Sequence, residues 1–240
     1  MKILGIDSSG LVASVALIED EILKAEYTVN NKKTHSTTLL PMLDEISKML
    51  EEDLSDVDAI AVACGPGSFT GLRIGSACAK GLAQAFNRPI VPVPTLDALA
   101  YNMWGYKGYI CPLMDARRNQ TYTGLYYFEQ AGNGMTLKTV LEQCAVPIEE
   151  ILDKVNELCE NVVFLGDGVP VFKEQIEDLV RIPYSFAPPA MNRQKASGVA
   201  SLGAELFSLG ITQSAAQHAP VYLRLSQAER ERMEQANADS

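Results

Sequence analysis

The chain has 240 residues, 47% of them hydrophobic and 21% charged, with a formal net charge of −10 and a pI near 4.7. That length suits one large domain or two small ones with a buried core, and the acidic field excludes a protein that grips phosphate backbones by itself. Cys64, Cys78, Cys111, Cys144 and Cys159 are scattered and odd in number, which excludes a disulfide framework and reads as thiols in a reducing compartment.

The N-terminus MKILGIDSSG has no signal-peptide core and no apolar run reaches ~18 residues, so a cytoplasmic protein without membrane contact is expected. Ile3 to Asp7 reads as a strand ending in the turn signal Asp-Ser-Ser-Gly. Val12 to Ile18 and Glu21 to Val29 follow as strands across a short Glu19-Asp20 loop, and strands joined this tightly pair antiparallel. After a polar loop at Asn30 to Thr34, Ser36 to Glu52 has the spacing of an amphipathic helix, with Pro41 near its first turn. Leu40 widens its apolar arc to ~180°, more than the ~100° that one core face needs. The surplus predicts contact with a neighbouring helix or with a partner.

Ala59 to Cys64 is a short apolar run that reads as a buried parallel strand. Gly65 and Gly67 then allow a tight turn, Ser68 or Thr70 can cap a helix, and the helix runs to Phe86. Its only charges are Arg73 and Lys80, so it is expected to be buried nearly all round. Gly71, Gly75 and Ala79 recur every four residues, a line along which another backbone can approach. The glycine turn serves either as a phosphate cradle or as a strand-to-helix junction. The junction is favoured, because neither the P-loop lysine spacing nor GxGxxG is present.

A strand at Pro89 to Pro94 and a helix from Thr95 to about Trp104 complete the order βββαβαβα, and the order then repeats. Tyr109 to Met114, Thr121 to Phe128 and Met135 to Leu141 read as strands, Pro147 to Glu160 as a helix, and Val162 to Leu165 as a strand closed by Gly166-Asp167-Gly168. A helix at about Val171 to Val180, a strand near Ile182 and a helix at about Arg193 to Leu209 follow. A duplicated βββαβαβα unit implies an α/β fold of two lobes with a cleft between them. The expected division is residues 1–106, 107–225 and a charged tail at 226–240, with Pro220 to Arg224 a short extended piece before the tail.

Few residues are placed for chemistry. Asp7 either faces the cleft, where such a carboxylate meets magnesium-bound phosphate, or caps the turn at Ser8. In DARRNQTY, Arg117 and Arg118 bind phosphate or carboxylate, or Asp115 and Arg117 pin the hairpin and the contact between lobes, the second being favoured. Gly166, Asp167 and Gly168 either approach an adenosine or form only a turn. The two histidines, His35 and His218, form no local metal motif, and Ser36 beside His35 points elsewhere on the helix.

The segments ILGIDSSGLVASVAL, HSTTLLPML, CGPGSFTGLRIGSACAKGLA, VPTLDALA, MDARRNQTY, GDGVPVF and PVYLR, in this order across residues 3 to 224, closely resemble the TsaB (YeaZ) family. The resemblance implies the two-lobed actin/hexokinase-like (ASKHA) fold and an accessory role in forming threonylcarbamoyladenosine at position 37 of tRNAs that read ANN codons. It implies a TsaD-like catalytic partner, a TsaE-like ATPase that joins the pair, a homodimer when the partner is absent, and contact with tRNA only through the complex. The paralogue TsaD carries a metal-binding HxxxH after the strand corresponding to Pro89 to Pro94. Here Thr95 and Leu99 stand in the two histidine positions, so neither a resident metal nor catalysis by this chain is expected. The partner interface is expected on the first-lobe helices at Leu39, Leu40, Leu43, Gly71, Ile74, Gly75, Cys78, Ala79 and Leu82. No cofactor is required under this reading, and weak adenine-nucleotide binding would involve Asp7, Ser8, Gly166, Asp167 and Gly168. The competing expectation is a stand-alone ATP-dependent enzyme or a metallopeptidase-like protein of the same fold.

Overall fold

The central strand of the first sheet is β1 (Lys2–Asp7), buried on both faces beyond Lys2, as its unbroken apolar run requires. In the computed structural model, which describes residues 1–31, 34–132 and 134–224, β2 (Val12–Glu19) pairs antiparallel with it and β3 (Ile22–Asn30) pairs antiparallel with β2. The tail expected at 226–240 lies outside the described residues, as do Lys32 and Lys33 of the expected loop. On the other side of β1, β4 (Ala59–Gly65) and β5 (Ile90–Pro94) add in parallel, giving the order β3-β2-β1-β4-β5.

The second sheet repeats this plan. β6 (Tyr109–Asp115) pairs antiparallel with β7 (Gln120–Ala131), β7 antiparallel with β8 (Gly134–Pro147), and β6 parallel with β9 (Val162–Leu165), which pairs with β10 (Tyr184–Phe186). Its order, β8-β7-β6-β9-β10, is the first sheet's order with each strand replaced by its counterpart. β7 and β8 outrun their expected ends because the ladder continues from Gln120↔Pro147 to Ala131↔Gly134. The polar residues Lys138, Thr139, Glu142 and Gln143 are tolerated there because an antiparallel edge strand keeps one face in water.

The helices are α1 (Leu39–Leu50), α2 (Phe69–Phe86), α3 (Thr95–Tyr101), α4 (Ile148–Asn156), α5 (Val169–Leu179) and α6 (Ala196–Ser208). One face of the first sheet is covered by α1 and α2, through Leu39, Met42, Leu43, Ile46, Ala79 and Ala83 on Leu4, Ile6, Val15 and Val62. One face of the second is covered by α4 and α5, through Ile148, Ile151, Leu152, Phe172 and Ile176 on Leu113 and Phe164. The last helix of each repeat crosses to the opposite sheet. Leu96, Leu99 and Ala100 of α3 pack on Ile110, Met114 and Tyr126 of the second sheet, whereas Val199, Ala200 and Leu202 of α6 pack on Ile3, Ala61, Val91 and Val93 of the first.

The first-lobe helices correct part of the expected interface. Leu39 and Leu43 are 1% and 3% exposed and belong to the chain's own core. Gly71, Gly75 and Ala79 are buried as well. A Cβ on Gly71 would lie inside 3.0 Å of the Ser8 carbonyl oxygen, and one on Gly75 would lie inside 3.0 Å of Ser8 Oγ. The small-residue line therefore admits the β1–β2 turn of this chain. Nor is α2 buried all round: Arg73, Ala77, Gly81, Gln84 and Ala85 are exposed, while Ile74, Cys78 and Leu82 are partly so. On α1, Leu40 is 56% exposed. Ser76, a polar residue, is 6% exposed and faces inward.

Candidate functional site

The carboxyl ends of β1, β4, β6 and β9 carry Asp7, Gly65, Asp115 and Gly166 to one end of the two sheets, where open α/β folds place their ligands. Asp7 is 1% exposed. Its Oδ1 accepts hydrogen bonds from Ser9 N at 2.8 Å and Ser9 Oγ at 2.7 Å. Burial nevertheless pushes its carboxyl up to about 6, with the two Ser9 bonds and His35 opposing and the Asp167 charge adding to the rise. Asp7 thus caps the turn, one of its two expected roles, and also lies within electrostatic reach of Asp167. Ser8 donates from Oγ to the Gly71 carbonyl at 2.9 Å.

At the end of β9, Gly166 has a φ of 110° and donates to Asn192 O at 3.0 Å, and Gly168 donates to Leu113 O at 2.9 Å. Both glycines let the start of α5 lie directly on β6. Asp167 is raised above the usual carboxylate range by burial, with the Arg193 guanidinium opposing, and its Oδ1 has no hydrogen-bond partner. Arg193 itself donates from Nη1 to Gly166 O at 2.8 Å. Gln194 is 1% exposed, neither polar atom of its side chain is partnered, and its carboxamide lies against Gly10. His35 completes the wall, its Nε2 at 2.9 Å from Gly10 O.

Asp115 and Arg117 pin the β6–β7 turn, as favoured from the sequence. Asp115 Oδ1 accepts from Arg117 N at 2.8 Å, and Oδ2 is 3.2 Å from Arg117 Nη1. Arg117, Arg118 and Asn119 all have positive φ. Ser68 caps α2 by accepting from Gly71 N at 3.3 Å, so the glycine turn is a strand-to-helix junction. Gln194 and Arg193 were not singled out from the sequence. They stand in a loop without a motif, and only the crossing of α6 brings them to Gly10 and Gly166.

At the start of α3, Thr95 Oγ1 accepts from Gly65 N at 3.0 Å and Leu99 is 1% exposed within the second core. One turn in, Asp97 Oδ1 accepts from Tyr126 OH at 2.8 Å, and burial pushes that carboxyl up to about 6. Among the described residues no three His, Cys, Asp or Glu side chains are grouped to hold a metal ion, and no helix is long and apolar enough to cross a membrane.

The family model described as "TsaD: tRNA N6-adenosine threonylcarbamoyltransferase" matches residues 23–232. A Bacillus subtilis protein named tRNA threonylcarbamoyladenosine biosynthesis protein TsaB is 36% identical over 231 residues, which cover 95% of this chain and 96% of that protein. A crystal structure from Pseudomonas aeruginosa, described as an uncharacterized protein with similarity to peptidase YEAZ, superposes with a TM-score of 0.78 at 28% identity, covering 93% of this chain and 99% of that one. The inorganic polyphosphate/ATP-glucomannokinase of an Arthrobacter strain superposes with a TM-score of 0.51 at 12% identity over 87% of this chain and 99% of that one. That likeness, to a sugar kinase, concerns the two-lobed actin/hexokinase-like fold alone.

Proposed function

Because the chain belongs to the TsaB (YeaZ) family, we propose that it is the non-catalytic partner of a TsaD-like threonylcarbamoyltransferase in forming N6-threonylcarbamoyladenosine at position 37 of tRNAs that read ANN codons. The observation that carries the non-catalytic part is the use made of Thr95 and Leu99. Where the paralogue is expected to present two metal-binding imidazoles, this chain has a hydroxyl accepting the Gly65 amide and a leucine packed in the second core. A hydroxyl already engaged and an alkyl group do not replace two imidazoles on a transition metal.

The partner is taken on the outer side of α1 and α2. Ala77 and Leu40 are exposed there, beside the partly exposed Ile74, Cys78 and Leu82, and small side chains let a facing helix come close. The same surface makes the homodimer when the partner is absent, a TsaE-like ATPase joins the pair, and tRNA is reached only through the complex. The net charge of −10 fits that last point, since it repels the nucleic acid.

A nucleotide fits the cleft poorly. The hydroxyls of Ser8 and Ser9 are already engaged with Gly71 O and Asp7, and the Gln194 carboxamide fills the space against Gly10. Adenine nucleotide therefore binds weakly and is not required. The carboxyl groups of Asp7 and Asp167, within electrostatic reach of each other, favour a second reading, an ATP-dependent enzyme. ATP hydrolysis at enzyme-like rates, abolished by Asp7→Asn, would replace the first reading with the second. The direct test combines the chain with the TsaD-like protein of the same organism and measures threonylcarbamoyladenosine with each alone and then together with the TsaE-like ATPase. Product only when all are present is the expected result. Product formed by this chain without its TsaD-like partner overturns the accessory role.

A further inference from the structure

The segment after α6 does not end on the lobe it leaves. Gln213 exchanges two backbone hydrogen bonds of 2.8 Å with Ile90 at the edge of β5, and the His218 carbonyl accepts from Lys80 Nζ on α2 at 2.8 Å. The chain then becomes extended and reaches the carboxyl end of β4, where Val221 N donates to Cys64 O at 2.7 Å. Gly65 makes this approach feasible, since a Cβ there would lie inside 3.0 Å of the Val221 carbonyl oxygen. Tyr222 stacks on Phe69 at the start of α2, with ring centroids 4.3 Å apart and planes 4° from parallel. Arg73 lies 5.8 Å from both ring centroids, and its Nε donates to Tyr222 OH at 3.1 Å. Two residues later Arg224 Nη1 donates to Ala116 O at 2.6 Å. Ala116 follows Asp115 at the end of β6, in the other sheet.

Four residues, Val221 to Arg224, therefore join the end of β4, beside the Asp7 end of β1, to the Asp115 end of β6. We propose that this segment is a strap that holds the two halves in one relative arrangement, and that its release lets the cleft open. Its hold is slight. Among the described residues, one backbone hydrogen bond, one ring stack whose tyrosine hydroxyl accepts from Arg73, and one guanidinium-to-carbonyl bond attach it, and Val221 and Tyr222 are 51% and 38% exposed. Elements with so few buried contacts open before the rest of a fold does. A strap acts only while both ends are fixed, so losing either anchor removes the whole constraint.

Hydrogen exchange of the full chain tests this with Arg224→Gln, Tyr222→Ala and the double variant. Release of the second anchor by Arg224→Gln is expected to raise exchange about tenfold in the β6–β7 turn at Asp115 to Asn119 and at Ser8 to Gly10 on the opposite wall. Amides of α4 and α5 should be unchanged. Tyr222→Ala is expected to do the same from the first anchor, and the double variant no more than either alone. Faster exchange confined to residues 220–224, a uniform rise through the chain, or additive effects of the two substitutions would each overturn the proposal. If Tyr222→Ala loosens α2 itself, the pattern in Arg224→Gln decides alone.

Discussion

Ser9 supplies Asp7 with two hydrogen bonds to a single carboxylate oxygen, yet burial outweighs them and holds the group up at about 6 from its ordinary 3.8. The native state therefore holds this proton more tightly than the unfolded chain does. The stability it contributes is complete below about 3.8 and is lost as pH rises through 6. Asp7→Asn keeps an acceptor for Ser9 and has no charge to bury. Its stability advantage over the parent should grow from pH 4 to 6 and level off at about 2–3 kcal/mol above that, as followed by urea unfolding across pH. An advantage that does not change with pH would mean that Asp7 titrates in the native state as it does in the unfolded chain, its burial offset by hydration or by the Ser9 bonds. Asp97, raised to about 6 with Tyr126 donating to it, should behave the same way in Asp97→Asn. Asp7 and Asp167 were recognisable in the sequence as strand-end carboxylates. Gln194, buried with its carboxamide against Gly10, was not, since nothing in its sequence neighbours marks it.

The two faces of α2 separate own-core residues from candidate partner residues, and substitutions should tell them apart. Gly75→Leu drives a side chain into Ser8 Oγ. It should lower stability by about 1–3 kcal/mol or more through overpacking, seen as a lower melting temperature. Ala77→Arg, on the exposed face, should leave melting nearly unchanged and abolish capture by the TsaD-like protein; unchanged capture would remove this face from the proposed interface. Gly81 has open space around it, so Gly81→Ala should stabilise the isolated chain by about 0.5–1 kcal/mol through helix propensity. The helix, its Ser68 cap and the close approach along Gly71, Gly75 and Ala79 were legible in the sequence. What approaches was not. A four-residue spacing of small side chains is the same whether the facing backbone belongs to the β1–β2 turn or to another protein.

At the scale of the molecule, the exchange of α3 and α6 between sheets decides what can fold alone. Residues 1–106 carry the whole first sheet but lack α6, which covers Ile3, Ala61, Val91 and Val93. The isolated fragment should therefore expose that face and show neither cooperative melting nor dispersed amide resonances. A cooperatively folded fragment would show that α6 is dispensable to the first core. Hydrophobic periodicity and turn residues are local quantities, and by themselves they determined the ten strands and six α-helices of the described residues, the duplicated βββαβαβα order and the turns that bring Asp7, Asp115 and Asp167 to strand ends. Which sheet receives each closing helix, which face of α2 stays in water, and where Pro220 to Arg224 comes to rest were decided only in the tertiary structure. α3 and α6 are apolar enough to cover either sheet, and an extended pentapeptide has no preferred neighbour until β4 and β6 stand on either side of it.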